Sequence, residues 1–127
     1  MAGAYVPARG DIVWLHFTPQ AGHEQGGRRP ALVVSPREYN RRVGLALLCP
    51  VTSQVKGYPF EVPLPPGLGA EGVVLADQIK SLDWRARDAR LQGKAPSEVL
   101  HDVVARILTL VDPEEADTVA ARKTHAT

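Results

Sequence analysis

The chain has 127 residues, of which 44% are hydrophobic, and its formal net charge is only +1. This length suffices for one domain with a single core, and the near-neutral total gives nucleic-acid binding no support by itself. The lone Cys49 cannot form an intrachain disulfide. No apolar run approaches the ~18 residues of a membrane helix, and no signal-peptide pattern is present, so we expect a cytoplasmic protein without a membrane span.

Short apolar runs separated by turn residues predict strands at residues 11–17, 31–35, 45–51, 60–64 and 73–76. Strands of this length and spacing are typical of a small antiparallel barrel or sandwich. Residues 36–40 follow the second strand and can form one helical turn. We therefore expect a mainly β domain.

One amphipathic helix is predicted at residues 96–111, because apolar residues from Leu100 to Val111 recur at i, i+3, i+4 spacing. Pro96 suits the start of a helix, and Asp112 followed by proline ends it. The apolar stripe should cover an open side of the sheet. We place the domain at residues 1–112, followed by a polar tail at residues 113–127 that we expect to be disordered.

Two polar connectors carry the candidate chemistry. Residues 22–30 form a glycine-rich segment that bears Glu24, Gln25, Arg28 and Arg29 and leads into an apolar run. Residues 51–57 supply hydroxyl, amide and ammonium groups, namely those of Thr52, Ser53, Gln54 and Lys56. Connectors of this kind often hold functional groups on a rigid scaffold. The plainer alternative is a flexible hairpin loop at Gly26 and Gly27 with solvated charges around it.

Metal binding is disfavoured, because the four histidines show no ligand spacing and one cysteine cannot build a zinc site. We predict no cofactor. Metal-free RNA cleavage needs a base near the 2′-OH, a donor to the leaving 5′-oxygen and groups that stabilise the phosphorane. Glu24 is the most natural base, Arg29 is suited to an electrostatic role because it is always charged, and His23 is a third candidate for proton transfer. Thr52 and Ser53 can donate hydrogen bonds.

Aromatic residues beside basic ones can stack bases of single-stranded RNA. For Tyr58 and Trp84 the sequence leaves two alternatives, base stacking or packing at the edge of the core. Trp14 and Phe60 are interpreted as packing residues. Residues 78–87 place Gln78, Lys80 and Arg85 along an exposed edge, either to face RNA or to protect the edge from aggregation.

The ordered combination of motifs resembles the MazF (PemK-like) family of bacterial toxin endoribonucleases. The matching segments are residues 9–14 (RGDIVW), 22–35 (GHEQGGRRPALVVS), 50–53 (PVTS), 57–62 (GYPFEV) and 72–81 (GVVLADQIKS), followed by Trp84 and Arg85. The resemblance implies an SH3-like antiparallel barrel with a C-terminal α-helix. It also implies a homodimer that cuts single-stranded RNA at short sequence motifs without metal, leaving 2′,3′-cyclic phosphate and 5′-OH ends, and a cognate MazE-like antitoxin with an acidic tail.

The family's site maps onto Arg29, Thr52 and Glu24 as catalytic residues. The RNA-binding residues that we expect around them are Gln25, Arg28, Ser53, Gln54, Lys56, Tyr58, Gln78, Lys80 and Arg85. His16 departs from the Asp or Asn that relatives often carry. The alternative function is that of a non-catalytic toxin or single-strand binder, such as a CcdB-like gyrase poison, although this chain lacks the Trp-Gly-Ile terminus on which that toxin depends.

Overall fold

A computed structural model describes residues 4–17 and 27–117, and the structural statements below refer to these ranges. The strands are β1 (Asp11–His16), β2 (Arg28–Val33), β3 (Ala46–Thr52), β4 (Glu61–Pro63), β5 (Val73–Leu75), β6 (Lys80–Leu82) and β7 (Arg90–Lys94). The helices are α1 (Arg37–Val43) and α2 (Ser97–Val111), and a 3₁₀ turn spans Ala76–Gln78. Within these ranges no helix has the length and apolar character required to cross a membrane.

The strands form one antiparallel sheet in the order β4-β5-β3-β2-β1-β7. One edge of β3 pairs with β2, and the other is shared, because Ala46–Leu48 pair with β6 whereas Val51 and Thr52 pair with β5. The predicted mainly β architecture with a C-terminal helix is confirmed. Hydrogen bonding leaves the barrel open between β4 and β7, where the loop around Leu68 packs against β7. A Cβ on Gly93 would lie 2.3 Å from the Leu68 carbonyl oxygen, so only glycine permits this contact.

Both faces of the sheet are buried, because successive strand residues point to opposite sides. One face packs Ile12, Leu32 and Val74 against Leu100 and Val103 of α2. The helix thus covers the sheet with its apolar stripe, as its sequence predicts. On this side, burial and the nearby Asp77 carboxylate raise the pKa of the Cys49 thiol to about 12, so the thiol stays protonated at neutral pH.

The second face packs around Trp84, whose side chain is 3% exposed. It contacts a cluster formed by alternate residues of the central strands, namely Val13, Leu15, Ala31, Val33, Ala46 and Leu48. Its indole N–H donates to the carbonyl oxygen of Asn40 at 3.0 Å. The structure therefore places Trp84 in the core, which resolves the choice left open by the sequence.

A polar network ties down the start of β1 and the end of β2. The buried Asn40 amide donates to the carbonyl oxygens of Pro7 at 2.8 Å and Ser35 at 3.1 Å. Asp11 is 2% exposed, and its carboxylate accepts from the Tyr5 hydroxyl at 2.6 Å, from the Ala8 N–H and from the Lys94 ammonium. Burial and this carboxylate raise the pKa of Tyr5. We call the hydrogen-bonded side chains of Tyr5, Asp11, Asn40 and Lys94 the far-end network.

The second strand begins earlier than predicted. Arg28 and Arg29 lie on β2, opposite His16 and Leu15 of β1, whereas the sequence placed them on the connector before residue 31. The prediction was wrong here because charged residues at the end of a strand can keep the ladder hydrogen bonds while their side chains reach solvent. Strands β6 and β7 were also not predicted separately.

The chain beyond α2 continues as a further helical turn at residues 113–117, with the Ala116 N–H donating to Asp112 O at 3.0 Å. Residues 118–127 lie outside the described ranges. The domain boundary after residue 112 and the disorder of the tail therefore remain predictions.

Candidate active site

A cleft of about 880 Å³ lies where β1 ends, β2 begins and β3 ends. Its walls come from three parts of the chain that the fold brings together. The lining residues are Trp14, residues 27–30, residues 51–54, Gly67 and residues 69–71. The Trp14 indole N–H donates to the Gly69 carbonyl oxygen at 2.8 Å, which fixes the loop wall to the strand wall. Trp14 is therefore more than the packing residue that the sequence suggested.

Arg29 and Thr52 face the same cleft from neighbouring strands. The antiparallel register pairs Ala31 with Pro50, and continuing it by two residues places Arg29 opposite Thr52. Arg29 is exposed, and among the described residues its guanidinium has no hydrogen-bond or ion-pair partner. Strand β2 thus presents to the cleft a cation that no described residue pairs, and β3 presents a hydroxyl.

The Thr52 hydroxyl is oriented by its own strand end. Its Oγ1 accepts the backbone N–H of Gln54 at 3.1 Å, so the hydroxyl proton stays available for another acceptor. The backbone of Gly72 packs directly against this residue: a Cβ there would lie 2.0 Å from the Thr52 carbonyl oxygen. Gly72 also has a φ of +114°, which disfavours any L side chain.

Arg28 is held differently from Arg29. Its guanidinium forms an ion pair with the Asp88 carboxylate, which also accepts from Arg90 at 3.2 Å. The Arg28 side chain lines the cleft but is only 28% exposed. The two consecutive arginines at this cleft therefore differ, because within residues 4–17 and 27–117 Arg28 has an ion-pair partner and Arg29 has none.

A smaller cavity of about 120 Å³ adjoins the cleft and shares Thr52 and Gln54 with it. Lys56, Tyr58 and Gln78 line the small cavity, and all three are exposed. The loop that bears Lys56 and Tyr58 is shaped by the buried Glu61, whose carboxylate accepts the N–H groups of Lys56 at 3.0 Å and Gly57 at 2.9 Å. The polar side chains of Lys56, Tyr58 and Gln78 therefore stand in a cavity next to the cleft that Arg29 and Thr52 line.

Lys80 and Arg85 line neither cavity. The Lys80 ammonium lies 5.7 Å from the centre of the Phe17 ring, and the Arg85 guanidinium lies 4.8 Å from that of Trp84. Both remain exposed cations on the surface beside β6.

Glu24, Gln25 and His23 lie outside the described residues. The structure does place one end of their connector at the cleft, since Gly27 lines it. Their predicted roles remain predictions.

A family model described as PemK-like, MazF-like toxin of type II toxin-antitoxin system matches residues 8–111. The chain belongs to this toxin family. Endoribonuclease toxin MazF of Escherichia coli K12 is 49% identical over 111 residues, which cover 87% of this chain and 99% of that protein. Endoribonuclease toxin ChpB of the same strain is 39% identical over 109 residues, which cover 82% of this chain and 93% of ChpB. The resemblance seen in the sequence is confirmed.

Solved structures of the MazF-like family show the same fold. The crystal structure of MazF from Deinococcus radiodurans matches with a TM-score of 0.77 at 60% identity, covering 85% of this chain and 98% of that one. A MazE-MazF crystal structure from the same organism matches with a TM-score of 0.80 at 60% identity, covering 85% of this chain and 97% of that one.

Sequence reasoning missed four residues that shape this MazF-like site: Trp14, Glu61, Gly72 and Glu71, the last of which contributes a carboxylate to the cleft wall. For Trp14 the available signal was its indole N–H, which usually finds a hydrogen-bond acceptor when the ring is packed. Glu61 stands in an alternating strand at a position that should be apolar. A buried carboxylate at such a position needs partners, and this could have pointed to the adjacent loop.

Proposed function

We propose that the cleft between Arg29 and Thr52 is where this endoribonuclease toxin cleaves single-stranded RNA. The observation that carries the proposal is the Arg29 guanidinium, which has no partner among the described residues and shares a cavity of about 880 Å³ with Thr52. An arginine fork matches the geometry of phosphate oxygens, and an unpaired one can bind them without first breaking an internal ion pair. Family membership and the relatives' names support the same activity.

The reaction that fits these groups is attack of a ribose 2′-oxygen on the adjacent phosphorus. A bond forms between phosphorus and the 2′-oxygen, the bond to the 5′-oxygen breaks, and the leaving oxygen takes a proton. The products are a 2′,3′-cyclic phosphate and a 5′-OH. Arg29 stabilises the charge that builds up on the phosphorane oxygens, and the Thr52 hydroxyl, whose oxygen already accepts from the Gln54 N–H, donates a hydrogen bond to one of them.

The base that removes the 2′-proton is assigned to Glu24 by its place in the family motif. Within the described ranges, Glu71 is the one carboxylate that lines the cleft, and it is therefore the competing candidate. Glu24→Gln and Glu71→Gln separate the two, because only loss of the base removes the acidic limb of the pH–rate profile. If both variants keep that limb, the role passes to His23.

The small cavity is proposed to take a base of the bound RNA next to the cut. Tyr58 is 51% exposed and can stack on a base, while Gln54, Gln78 and Lys56 offer hydrogen bonds to its edge. Ser53 and Arg28 belong to the cleft wall. Lys80 and Arg85 lie outside both cavities and are assigned weaker, electrostatic contacts along the RNA.

The partners follow from the same relatives. Because MazF of Deinococcus radiodurans was crystallised with MazE, we propose that a cognate MazE-like antitoxin binds this chain, its acidic segment competing with RNA for the Arg29 cleft. We also propose a homodimer and a cytoplasmic site of action, where mRNA is translated.

The decisive experiment is incubation of the purified protein with a long defined RNA in the presence of EDTA. We expect a few discrete fragments, with 5′-OH ends that map to one short motif. Among the described residues no group of three metal-ligating side chains occurs, but metal independence remains a proposal that this assay tests. An intact RNA that stays bound would favour the alternative of a non-catalytic toxin or single-strand binder.

A further inference from the structure

Asp88 combines an unusual backbone conformation with a central position among arginines. Its φ of 56° makes it the one non-glycine residue with positive φ within the described ranges. Side chains pay for that conformation with strain, although Asp tolerates it better than most. An outlier of this kind is a reason to look for a role. Here its carboxylate accepts from Arg28 of β2 and from Arg90 of β7.

The turn that carries Asp88 is rigid. The Asp83 carboxylate accepts the N–H groups of Arg85 at 3.1 Å and Ala86 at 2.8 Å, and the Ala89 N–H donates to the carbonyl oxygen of the buried Trp84 at 3.0 Å. These bonds anchor the backbone of the turn to the core on both sides of Asp88. An exposed ion pair between two mobile side chains contributes little, but a carboxylate on a fixed turn can hold its partner in one place.

The same turn contacts the chain on both sides of the connector at residues 18–26. On one side the Arg87 guanidinium donates to the carbonyl oxygens of His16, at 3.1 Å, and Phe17. On the other side Asp88 binds Arg28, which pairs with His16 across the two strands. Arg28 is thus drawn toward the turn, whereas Arg29, the next residue along, keeps a guanidinium that no described residue binds.

We propose that Asp88 is a positioning residue that holds the Arg28 guanidinium against the wall of the cleft, so that Arg29 alone is presented to the reacting phosphate. Both Arg28 and Arg29 line the cleft, so a released Arg28 guanidinium would offer RNA a second phosphate site that competes with Arg29. Because Asp88 pairs with Arg28, the RNA backbone can bind in one position, with a phosphate at Arg29. The inference rests on the proposed function, because it assumes that the cleft binds RNA.

The test measures RNA binding as a function of salt. The probe is a short single-stranded RNA that the wild-type protein cuts, carrying a 2′-deoxy nucleotide at the mapped cleavage position so that it stays intact. Asp88→Gly suits the positive φ and removes the carboxylate, and Asp88→Asn keeps a polar side chain without the charge. If Arg28 is released onto a phosphate, the slope of log Kd against log salt steepens by about 0.7 in both variants.

Matched double variants assign the released charge. In Arg28→Ala/Asp88→Gly the slope should return to the wild-type value, and in Arg90→Ala/Asp88→Gly it should stay steep. Single-turnover cleavage of the all-ribose RNA should fall about tenfold in Asp88→Gly, with additional cuts beside the main one, because RNA then occupies a second register. An unchanged slope in Asp88→Gly, or a change in Asp88→Gly that Asp88→Asn does not reproduce, would overturn the inference.

An Arg29→Ala sample separates this inference from the proposed function. If Arg29→Ala cleaves like the wild type, the proposed active site is wrong. If Arg29→Ala has lost cleavage while both Asp88 variants bind RNA with the wild-type salt slope, the active site stands and only the role of Asp88 fails. Melting temperatures of all variants show whether a change in slope accompanies a loss of folding.

Discussion

The two ends of the central strands β1, β2 and β3 differ in how their polar side chains are buried and hydrogen-bonded. At the far-end network, Asn40 and Asp11 are buried, and their side chains are bound by neighbouring backbone and side-chain groups. At the cleft, Arg29 is exposed and, among described residues, unpaired. Buried polar groups must be satisfied to keep a fold, whereas a group that binds a ligand must be left available. The difference separates the end that helps to specify the fold from the end that we propose to be the active site.

Arg29→Ala should impair RNA cleavage at the cleft without weakening the far-end network. We expect RNA cleavage to fall about a thousandfold, by analogy with arginines that stabilise phosphoryl-transfer charge, and the melting temperature to change little. Arg29→Lys is the control: it keeps the charge but loses the planar fork, so it should recover only a small part of the rate. Cleavage at the wild-type rate by a folded Arg29→Ala protein would remove the residue from the site.

Asn40→Ala should lower the stability of the fold through the far-end network, away from the cleft. It leaves the carbonyl oxygens of Pro7 and Ser35 buried without their donor, which costs about 2–3 kcal/mol of unfolding free energy. Arg41→Ala, on the same helix but exposed and paired only with Glu38, should cost less than about 1 kcal/mol. Denaturant unfolding of both variants measures the contrast. Equal losses would mean that the far-end network is not what stabilises this end.

Gly72→Ala should affect both stability and catalysis, because this residue packs against Thr52 itself. The added Cβ must displace the Thr52 carbonyl, and we expect cleavage to fall about a hundredfold together with a lower melting temperature. Gly44→Ala is the matched control, since its φ of +82° gives similar backbone strain while nothing lies within 4 Å of the added atom. If both substitutions leave cleavage intact, the close approach does not position Thr52.

Removing residues 114–127 should have the smallest effect. The described part of this segment carries no apolar stripe, and we expect the melting temperature and the cleavage rate to stay near those of the full chain. Differential scanning calorimetry and the same RNA assay measure both quantities. A large drop in melting temperature would show that the tail packs on the domain.

The sequence predicted the elements that carry a strong local pattern. Strand β1 and helix α2 were placed within one residue at each end, because alternation and the i, i+3, i+4 spacing are local properties. The start of β2 was misplaced because two charged residues after glycines are typical of a loop. Arg28 and Arg29 belong to the strand because they pair with β1, which the sequence does not show. Strands as short as β6 have too few residues for a pattern to show.

The candidate site was predicted where polar residue types stand on a connector and a motif names them. Arg29 and Thr52 were proposed from the two polar connectors and again from the family resemblance, and the structure places both at one cleft. The loop that forms the opposite wall was not foreseen, because Trp14 reaches Gly69 through a contact between residues far apart in the chain. Asp88 was missed for the same reason, since a positive φ cannot be read from its side chain and its partner Arg28 lies on a different strand.

The way Glu61 binds its loop has a consequence for redesign. Its carboxylate holds backbone N–H groups of Lys56 and Gly57, and no side chain of the loop takes part in those bonds. The side chains of Gln54, Lys56 and Tyr58 can therefore be exchanged while the loop keeps its shape. If the small cavity binds a base as proposed, a library of substitutions at these three positions is expected to change the cleavage preference while the backbone of the loop stays the same.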